Sequence, residues 1–252
     1  MNNHTPSISV IIATYNPGKS LETTIKSFVD QKYKDKELII VDGGSTDGTK
    51  DTIKKYKNII SYWVSEPDKG ISDAFNKGVR KATGDYLYFI GAGDFFWKKD
   101  VLEKVMAGIN PKTDLLVCGR INRTTEDGKR VLYTSTLNFK KWMLIYKMGL
   151  PHQGLFTNRK FFQKYGKFDL NCKYAMDYEL LLRAFKDFPN VVMKDVIVAA
   201  WRAGGVGKGR ILKVLDEFRK IKIKNKIAPT FLINLIYLAS AAKYLLIDRP
   251  SE

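Results

Sequence analysis

Two short stretches of this chain share one design, and that design narrows the folds open to it. In Leu38-Ile39-Ile40-Val41-Asp42-Gly43-Gly44-Ser45, and again in Tyr86-Leu87-Tyr88-Phe89-Ile90-Gly91-Ala92-Gly93-Asp94, an apolar run breaks into small residues beside an aspartate. Apolar runs of this length, without polar alternation, read as strands buried on both faces. Such strands belong to α/β sheets covered by helices, where ligands bind outside the carboxyl ends of the strands. Each run therefore carries a carboxylate to the place where a ligand would bind.

The segments around them fit the same plan. Residues 8–14 are rich in β-branched side chains and read as a buried strand, with Tyr15-Asn16-Pro17-Gly18 as the turn after it. Leu21, Ile25, Phe28 and Val29 then recur at helical spacing. Ser45-Thr46-Asp47-Gly48-Thr49 opens a second helix, capped by Asp47 or Ser45. Residues 59–64 read as a third strand, and 71–82 as a helix with Ile71, Ala74, Phe75, Gly78 and Ala82 on one face. This alternation predicts a mostly parallel sheet with helices on both faces, and one nucleotide-binding layer over about residues 6–110.

The second half is less regular. Residues 114–121 and 129–135 read as strands joined by Asp127-Gly128, 138–147 as a helix and 152–157 as a short strand. Residues 177–187 read as a helix with Leu180, Leu181, Ala184 and Phe185 inward, and 191–200 as a strand. No repeat or low-complexity linker divides the halves, so they are expected to share a core.

From residue 208 the character changes. Lys208, Arg210, Lys213, Arg219, Lys220, Lys222, Lys224 and Lys226 form a basic stretch diluted only by Asp216 and Glu217. Residues 230–247 are almost wholly apolar, interrupted by Asn234, Ser240 and Lys243. That is short of the roughly 20 apolar residues of a spanning helix. The flanking charge suits an interfacial helix on anionic lipid; the plainer alternative is a helix packed on the domain.

Composition bounds the rest. With 252 residues, the chain is one domain or one domain plus an appendage. A hydrophobic fraction of 44% excludes a disordered protein. Lys+Arg 43 against Asp+Glu 26 gives +17, which favours polyanions (nucleic acid, acidic lipid or phosphorylated substrates) without choosing among them. Cys118 and Cys172 lack metal-site spacing and suit a reduced, cytosolic compartment. The polar Met1-Asn2-Asn3-His4 leads directly into a strand and does not read as a signal peptide.

Taken singly, Asp42-Gly43-Gly44-Ser45 is also a tight turn, and Gly91-Ala92-Gly93-Asp94 a loop with a cap. In order, with Val10-Ile11-Ile12-Ala13-Thr14-Tyr15-Asn16 and Ser65-Glu66-Pro67-Asp68-Lys69-Gly70-Ile71-Ser72-Asp73-Ala74-Phe75-Asn76-Lys77-Gly78, they say more. The chain resembles family 2 glycosyltransferases of the GT-A fold over about residues 6–207, nearest the branch that builds colanic acid, capsule and O-antigen. The resemblance implies a Rossmann-like mixed α/β sheet flanked by helices, as a domain over 1–207 with a nucleotide-binding half (about 6–110) and an acceptor half (about 111–207). The basic and apolar helical tail is 208–252.

The resemblance also implies roles. Thr14, Tyr15 and Asn16 would line the nucleotide pocket, Asp42 would accept from the base, and Asp68, Lys69 and Asn76 would flank base or ribose. Asp94 matches the metal-ligating acid of the DxD-type motif and implies Mg2+ or Mn2+. Most relatives carry a second acid where this chain has Gly93, so diphosphate, water and His152 are the candidates to complete the metal's shell. Pro151-His152-Gln153 matches a His-Gln pair that meets metal, diphosphate or acceptor, although a lone histidine is often structural.

Tyr174-Ala175-Met176-Asp177-Tyr178-Glu179 matches the segment that supplies the catalytic base. An acceptor hydroxyl loses its proton as it attacks the anomeric carbon, and a carboxylate ionised at neutral pH can take it. Asp177 is the expected base and Glu179 the fallback; a plain helix cap is the other reading of Asp177. Trp201-Arg202-Ala203-Gly204-Gly205-Val206-Gly207 would close over the diphosphate, with Arg202 beside it, or is a connector to the tail.

The sequence thus points to an inverting, metal-dependent transfer from a UDP-sugar to a lipid-diphosphate-linked glycan at the cytoplasmic face of the bacterial inner membrane. Two other classes compete. A nucleic-acid-binding module is favoured only by the net charge, and its interleaved basic and aromatic face is missing. A sugar-nucleotidyltransferase of related fold would carry a glycine-rich basic loop where Thr14-Tyr15-Asn16-Pro17 stands.

Overall fold

The computed structural model of the chain describes residues 5–203 and 209–248. Strand β1 (Ile8–Thr14) leads to helix α1 (Ser20–Val29), β2 (Lys36–Asp42) to α2 (Thr49–Lys55), and β3 (Tyr62–Ser65) to α3 (Ile71–Lys81) and β4 (Tyr86–Gly91). β1 pairs in parallel with β2 on one side and β4 on the other, and β2 pairs in parallel with β3. Successive side chains of a strand face opposite ways. Val10 and Ile12 therefore enter a layer with Leu21, Ile25 and Phe28 of α1, while Ile11 and Ala13 enter one with Ala74 and Phe75 of α3. Both layers are apolar, so every residue of β1 is buried. Gly78 lets α3 lie close on β1, since a Cβ there would collide with Ile11 Cγ2.

The second half adds β5 (Phe95–Phe96), α4 (Val101–Met106), β6 (Leu116–Thr124), β7 (Val131–Thr134), β8 (Leu155–Asn158), α5 (Arg159–Tyr165), α6 (Met176–Arg183) and β9 (Val191–Arg202). The order across the sheet is β3-β2-β1-β4-β8-β6-β9-β5, with β7 against β6. β8 is antiparallel to both β4 and β6, β5 to β9 and β7 to β6, while β6 and β9 run parallel. The sheet is therefore mixed, as the resemblance implies: parallel through β1 to β4 and between β6 and β9, antiparallel elsewhere, so the mostly parallel pattern read from the first strands does not extend to the whole sheet. A short turn such as the one between β6 and β7 permits only antiparallel pairing, because a parallel neighbour needs a crossover of a dozen or more residues.

Several boundaries differ from the sequence reading. The third strand starts at Tyr62, because the Ile59 N–H donates to Tyr56 O and closes the turn after α2. The expected helix over 138–147 is a single 3-10 turn, Lys141–Ile145. The strand expected from 152 begins at Leu155, after a 3-10 turn over His152–Gly154. Strand β4 stops at Gly91, so Asp94 lies on the connection to β5 and not in a strand. Helices α4 and α5 span 6 and 7 residues, too short for a helical period to show in sequence.

The tail forms α7 (Ile211–Lys224) and α8 (Thr230–Lys243). Ile221, Ile227 and Ile233 enter the same buried layer as Phe75 and Tyr178, so the tail packs on the domain. The outer side of α8 shows Phe231, Leu235 and Leu238, which are 74%, 61% and 61% exposed. Among the described residues no helix is long and apolar enough to cross a membrane.

Candidate active site

The parallel strands β1 to β4 all end at one edge, and the loops that leave them are tied together by side chains. Asp42, fully buried at the end of β2, accepts from the Ser45 N–H (3.0 Å), from the Ser45 hydroxyl and from the Ser65 hydroxyl at the end of β3 (2.5 Å). Ser45 in turn accepts from the Asn16 N–H (2.7 Å), and Asn16 Oδ1 accepts from the Thr46 N–H (2.9 Å). Asn16 has φ 45°, a conformation asparagine tolerates better than most side chains. Asp42 thus anchors the loops and spends most of its acceptor capacity within the fold.

Gly43 lies between two of the predicted nucleotide contacts. A Cβ there would stand 2.6 Å from Asp68 Oδ2 and 3.3 Å from the Tyr15 ring. Tyr15 is 68% exposed, and Asp68 is held by accepting from the Gly70 N–H at 2.8 Å. Tyr15 and Asp68 thus pack on the bare backbone of Gly43, and a donor slot here would run along an aromatic face and a carboxylate. Thr14 Oγ1 is buried beside this loop without a partner among the described residues.

Asp94 sits at the end of the neighbouring loop and is 8% exposed. Its Oδ1 accepts from the Arg202 N–H (2.9 Å) and its Oδ2 from the Gln153 amide (3.3 Å). Burial pushes its pKa up to about 6, against the opposing pull of those two hydrogen bonds and the Arg202 charge. Gly93 has φ +105°, a conformation that L side chains rarely adopt. This explains the missing acid: with the loop so turned, a second aspartate at 93 would be strained. The Arg202 guanidinium lies over the Phe95 ring at 5.7 Å, and its Nε has no partner among the described residues. Residues 204–207, expected to close over a diphosphate, lie outside the described residues.

The consecutive residues His152 and Gln153 reach in two directions. Gln153 goes to Asp94, while His152 Nδ1 stands 3.6 Å from Asp177 Oδ2 in the first turn of α6. The imidazole is walled by Phe75 and Phe89, with ring centroids 5.7 and 5.9 Å away, and its Nε2 is buried without a partner among the described residues. Burial lowers the His152 pKa, and the Asp177 charge offsets only part of this. One 3-10 turn therefore links the two carboxylates that sequence reasoning put at the centre of the chemistry. The side chain that contacts Asp94 is Gln153, and His152 turns instead toward Asp177.

Two expected ligand contacts are spent elsewhere. Asn76 donates to Phe168 O (2.8 Å) and accepts from the Phe168 N–H (2.9 Å), which ties α3 to the segment after α5. Glu179 is fully buried between Arg183 (3.0 Å) and Lys224 (3.3 Å), so in place of a base it is one half of an internal ion pair. Lys69 stays exposed, its N–H donating to Asp73 at 3.2 Å. Ser45, expected with Asp47 as a cap for α2, holds Asp42 instead, and the N-cap position of α2 is Gly48. Ser65 was not singled out; the signal was a hydroxyl at the end of β3, opposite an acid at the end of β2.

The sequence profile described as "Glycosyl transferase family 2" matches residues 9–177. A "PGL/p-HBAD biosynthesis glycosyltransferase" of Mycobacterium bovis is 32% identical over 238 residues, covering 92% of this chain and 90% of that one. The "Putative teichuronic acid biosynthesis glycosyltransferase TuaG" of Bacillus subtilis is 41% identical over 107 residues, 41% of this chain and 42% of its own. Among solved structures, S. aureus TarS 1–349 in complex with UDP-GlcNAc superposes with a TM-score of 0.71 at 17% identity, over 96% of this chain and 73% of that one. The mannosyltransferase PcManGT from Pyrobaculum calidifontis, in complex with GDP-Man and Mn2+, gives 0.67 at 15% identity, over 99% and 77%. At those identities the two structures speak for the fold alone. The profile match and the mycobacterial relative go further: the chain belongs to glycosyl transferase family 2.

Proposed function

We propose that this glycosyltransferase takes a sugar from a nucleotide diphosphate, a UDP-sugar in the first instance, and passes it with inversion to a hydroxyl of a lipid-linked glycan in bacterial surface polysaccharide synthesis. The observation that carries the reading is the His152-Gln153 turn, which joins Asp94 on the donor side to Asp177 on the acceptor side. In a direct displacement the acceptor oxygen bonds to the anomeric carbon as the bond to the diphosphate breaks, and the hydroxyl proton must leave. Asp177, at the start of a helix and partly open, would accept that proton. Tyr15, Gly43 and Asp68 would receive the base and ribose, and Arg202 the diphosphate. TarS with UDP-GlcNAc and PcManGT with GDP-Man share this fold, so the fold leaves the choice of base to the slot.

A divalent metal fits this site only together with the donor. Among the described residues no three acidic, histidine or cysteine side chains gather to hold an ion. Asp94 supplies one carboxylate, and its elevated pKa marks a buried negative charge short of compensation. Mg2+ or Mn2+ held by Asp94 and diphosphate oxygens would neutralise the leaving group. In this reading residues 1–207 are the transferase unit and 208–252 the tail that meets an anionic membrane at its cytoplasmic face, through Phe231, Leu235 and Leu238 and the nearby lysines.

Three expectations follow from these assignments. Asp94 holds its proton more tightly folded than unfolded, so its own contribution to the stability of the metal-free protein is lost as pH rises from about 4 to 6, while carboxylates held below their usual range, such as Glu22, act in the opposite sense. Asp94→Asn should abolish this loss, which is on the order of 2–3 kcal/mol, in urea titrations with EDTA; equal pH dependence in both proteins would remove the assignment. Asp177→Asn should lower transfer by roughly 100- to 10,000-fold while Kd for the nucleoside diphosphate stays unchanged, and normal transfer would place the base elsewhere. Leu235→Ser with Leu238→Ser should abolish co-sedimentation with phosphatidylglycerol vesicles but not the fold; wild-type binding, or none in either protein, would refute the membrane face.

A further inference from the structure

The residue before helix α6 offers it no side-chain cap: the N-cap position is Ala175, whose side chain cannot accept a hydrogen bond. Asp177 accepts from the Tyr178 N–H (2.8 Å) inside the first turn, and the backbone that leads into the helix is held from the tail. Glu217 of α7 accepts from three successive backbone N–H groups, those of Lys173 (3.1 Å), Tyr174 (2.7 Å) and Ala175 (2.8 Å). Hydrogen bonds to an ionised carboxylate are about twice as strong as neutral ones. Three on one side chain fix where the backbone enters α6, two residues before Asp177.

The rest of α7 grips the same turn. Phe218 meets the Tyr178 ring edge to face at 5.0 Å, and the Tyr178 hydroxyl bonds to Leu144 O. Lys222, buried on α7, donates to Tyr146 O at 3.0 Å, and burial lowers its pKa to about 8. Lys224 reaches the buried Glu179 at 3.3 Å. A cleft of about 710 Å³ opens between α7 and the loop before α6, with Glu217 and Tyr174 in its wall. Lys173, Lys213, Lys220 and Lys224 line it beside Asp169, Asp216 and Glu217, so opposite charges nearly cancel and it is no anion site.

We propose that Glu217 is a positioning residue for sugar transfer: by gathering the N–H groups of Lys173, Tyr174 and Ala175 from the tail, it sets the start of α6 and holds Asp177 against His152. The inference rests on Asp177 as the base. It makes the tail part of the acceptor-side machinery, so that removing residues 208–252 would remove the mount of the base together with any membrane contact.

The test uses the full chain and five variants. Transfer is followed as nucleoside diphosphate released from UDP-GlcNAc, UDP-glucose or GDP-mannose, whichever is turned over. Glu217→Ala should lower kcat at least tenfold with donor KM unchanged, and should speed amide exchange in the peptide 173–183 but not in β1 or β2. Glu217→Gln, which keeps the oxygen that serves Tyr174 and Ala175, should recover most of the rate. In an Asp177→Asn background Glu217→Ala should lower the residual rate no further, whereas a merely structural loss would add. Where Glu217→Ala does not fold, Glu217→Asp carries the test, with kcat lowered and KM kept. Wild-type kcat in the Ala variant, or in the Asp variant where that replaces it, overturns the proposal, as does a loss of kcat matched by a loss of donor affinity. Full activity of Asp177→Asn alone would sink the reading beneath it and the proposal with it.

Discussion

The parallel pairing of β1 between β2 and β4 is the constraint on which the remainder depends. β1 is buried along its whole length, and its register places Ala13 beside Gly91 and Thr14 beside Asp42. Because apolar layers cover both faces, a slip of one residue would exchange the side chains meant for α1 with those meant for α3. The strand ends are therefore fixed relative to one another. The loops that leave them at one edge can then carry Tyr15, Asp42, Asp68 and Asp94 without each needing its own scaffold.

Charge shapes what that edge can do. Asp42 and Asp94 are both buried, yet their environments differ. Asp42 is satisfied by two serines and has become part of the loop framework. Asp94 has one backbone N–H, one amide and a nearby arginine, and burial outweighs them. A cation or a diphosphate-bound metal would find in Asp94 a carboxylate still short of positive charge. Asp177 is coupled through His152 to the same turn that holds Asp94.

The first four strands and the two carboxylate loops were legible because they depend on local pattern: continuous apolar runs, small residues at their ends, helical spacing between them. The His-Gln pair and Asp177 were legible through ordered motifs. What stayed hidden depends on distance along the chain. Asn76 looked like a ligand contact until Phe168, 92 residues later, took its amide. Glu179 looked available until Lys224 and Arg183 closed on it. Gly43 read as a turn residue, and only the placement of Asp68 and Tyr15 shows how closely both pack on its bare backbone. Glu217 read as a minor dilution of a basic stretch, because nothing local says that a carboxylate on α7 will hold the backbone leading into α6.

The basic and apolar tail has its inner side in the domain core and its outer side apolar and exposed. The donor slot remains the central claim, and thermal unfolding with UDP or GDP, with and without Mn2+, tests it most directly. One of the two nucleotides at about 100 times its Kd should raise the wild-type Tm by roughly 5–10 °C. Gly43→Val, whose side chain would push the Asp68 carboxylate and the Tyr15 ring away from the strand end, should fold and lose that shift. The account would be contradicted by a wild-type Tm that neither nucleotide moves, or by a Gly43→Val variant that responds as the wild type does.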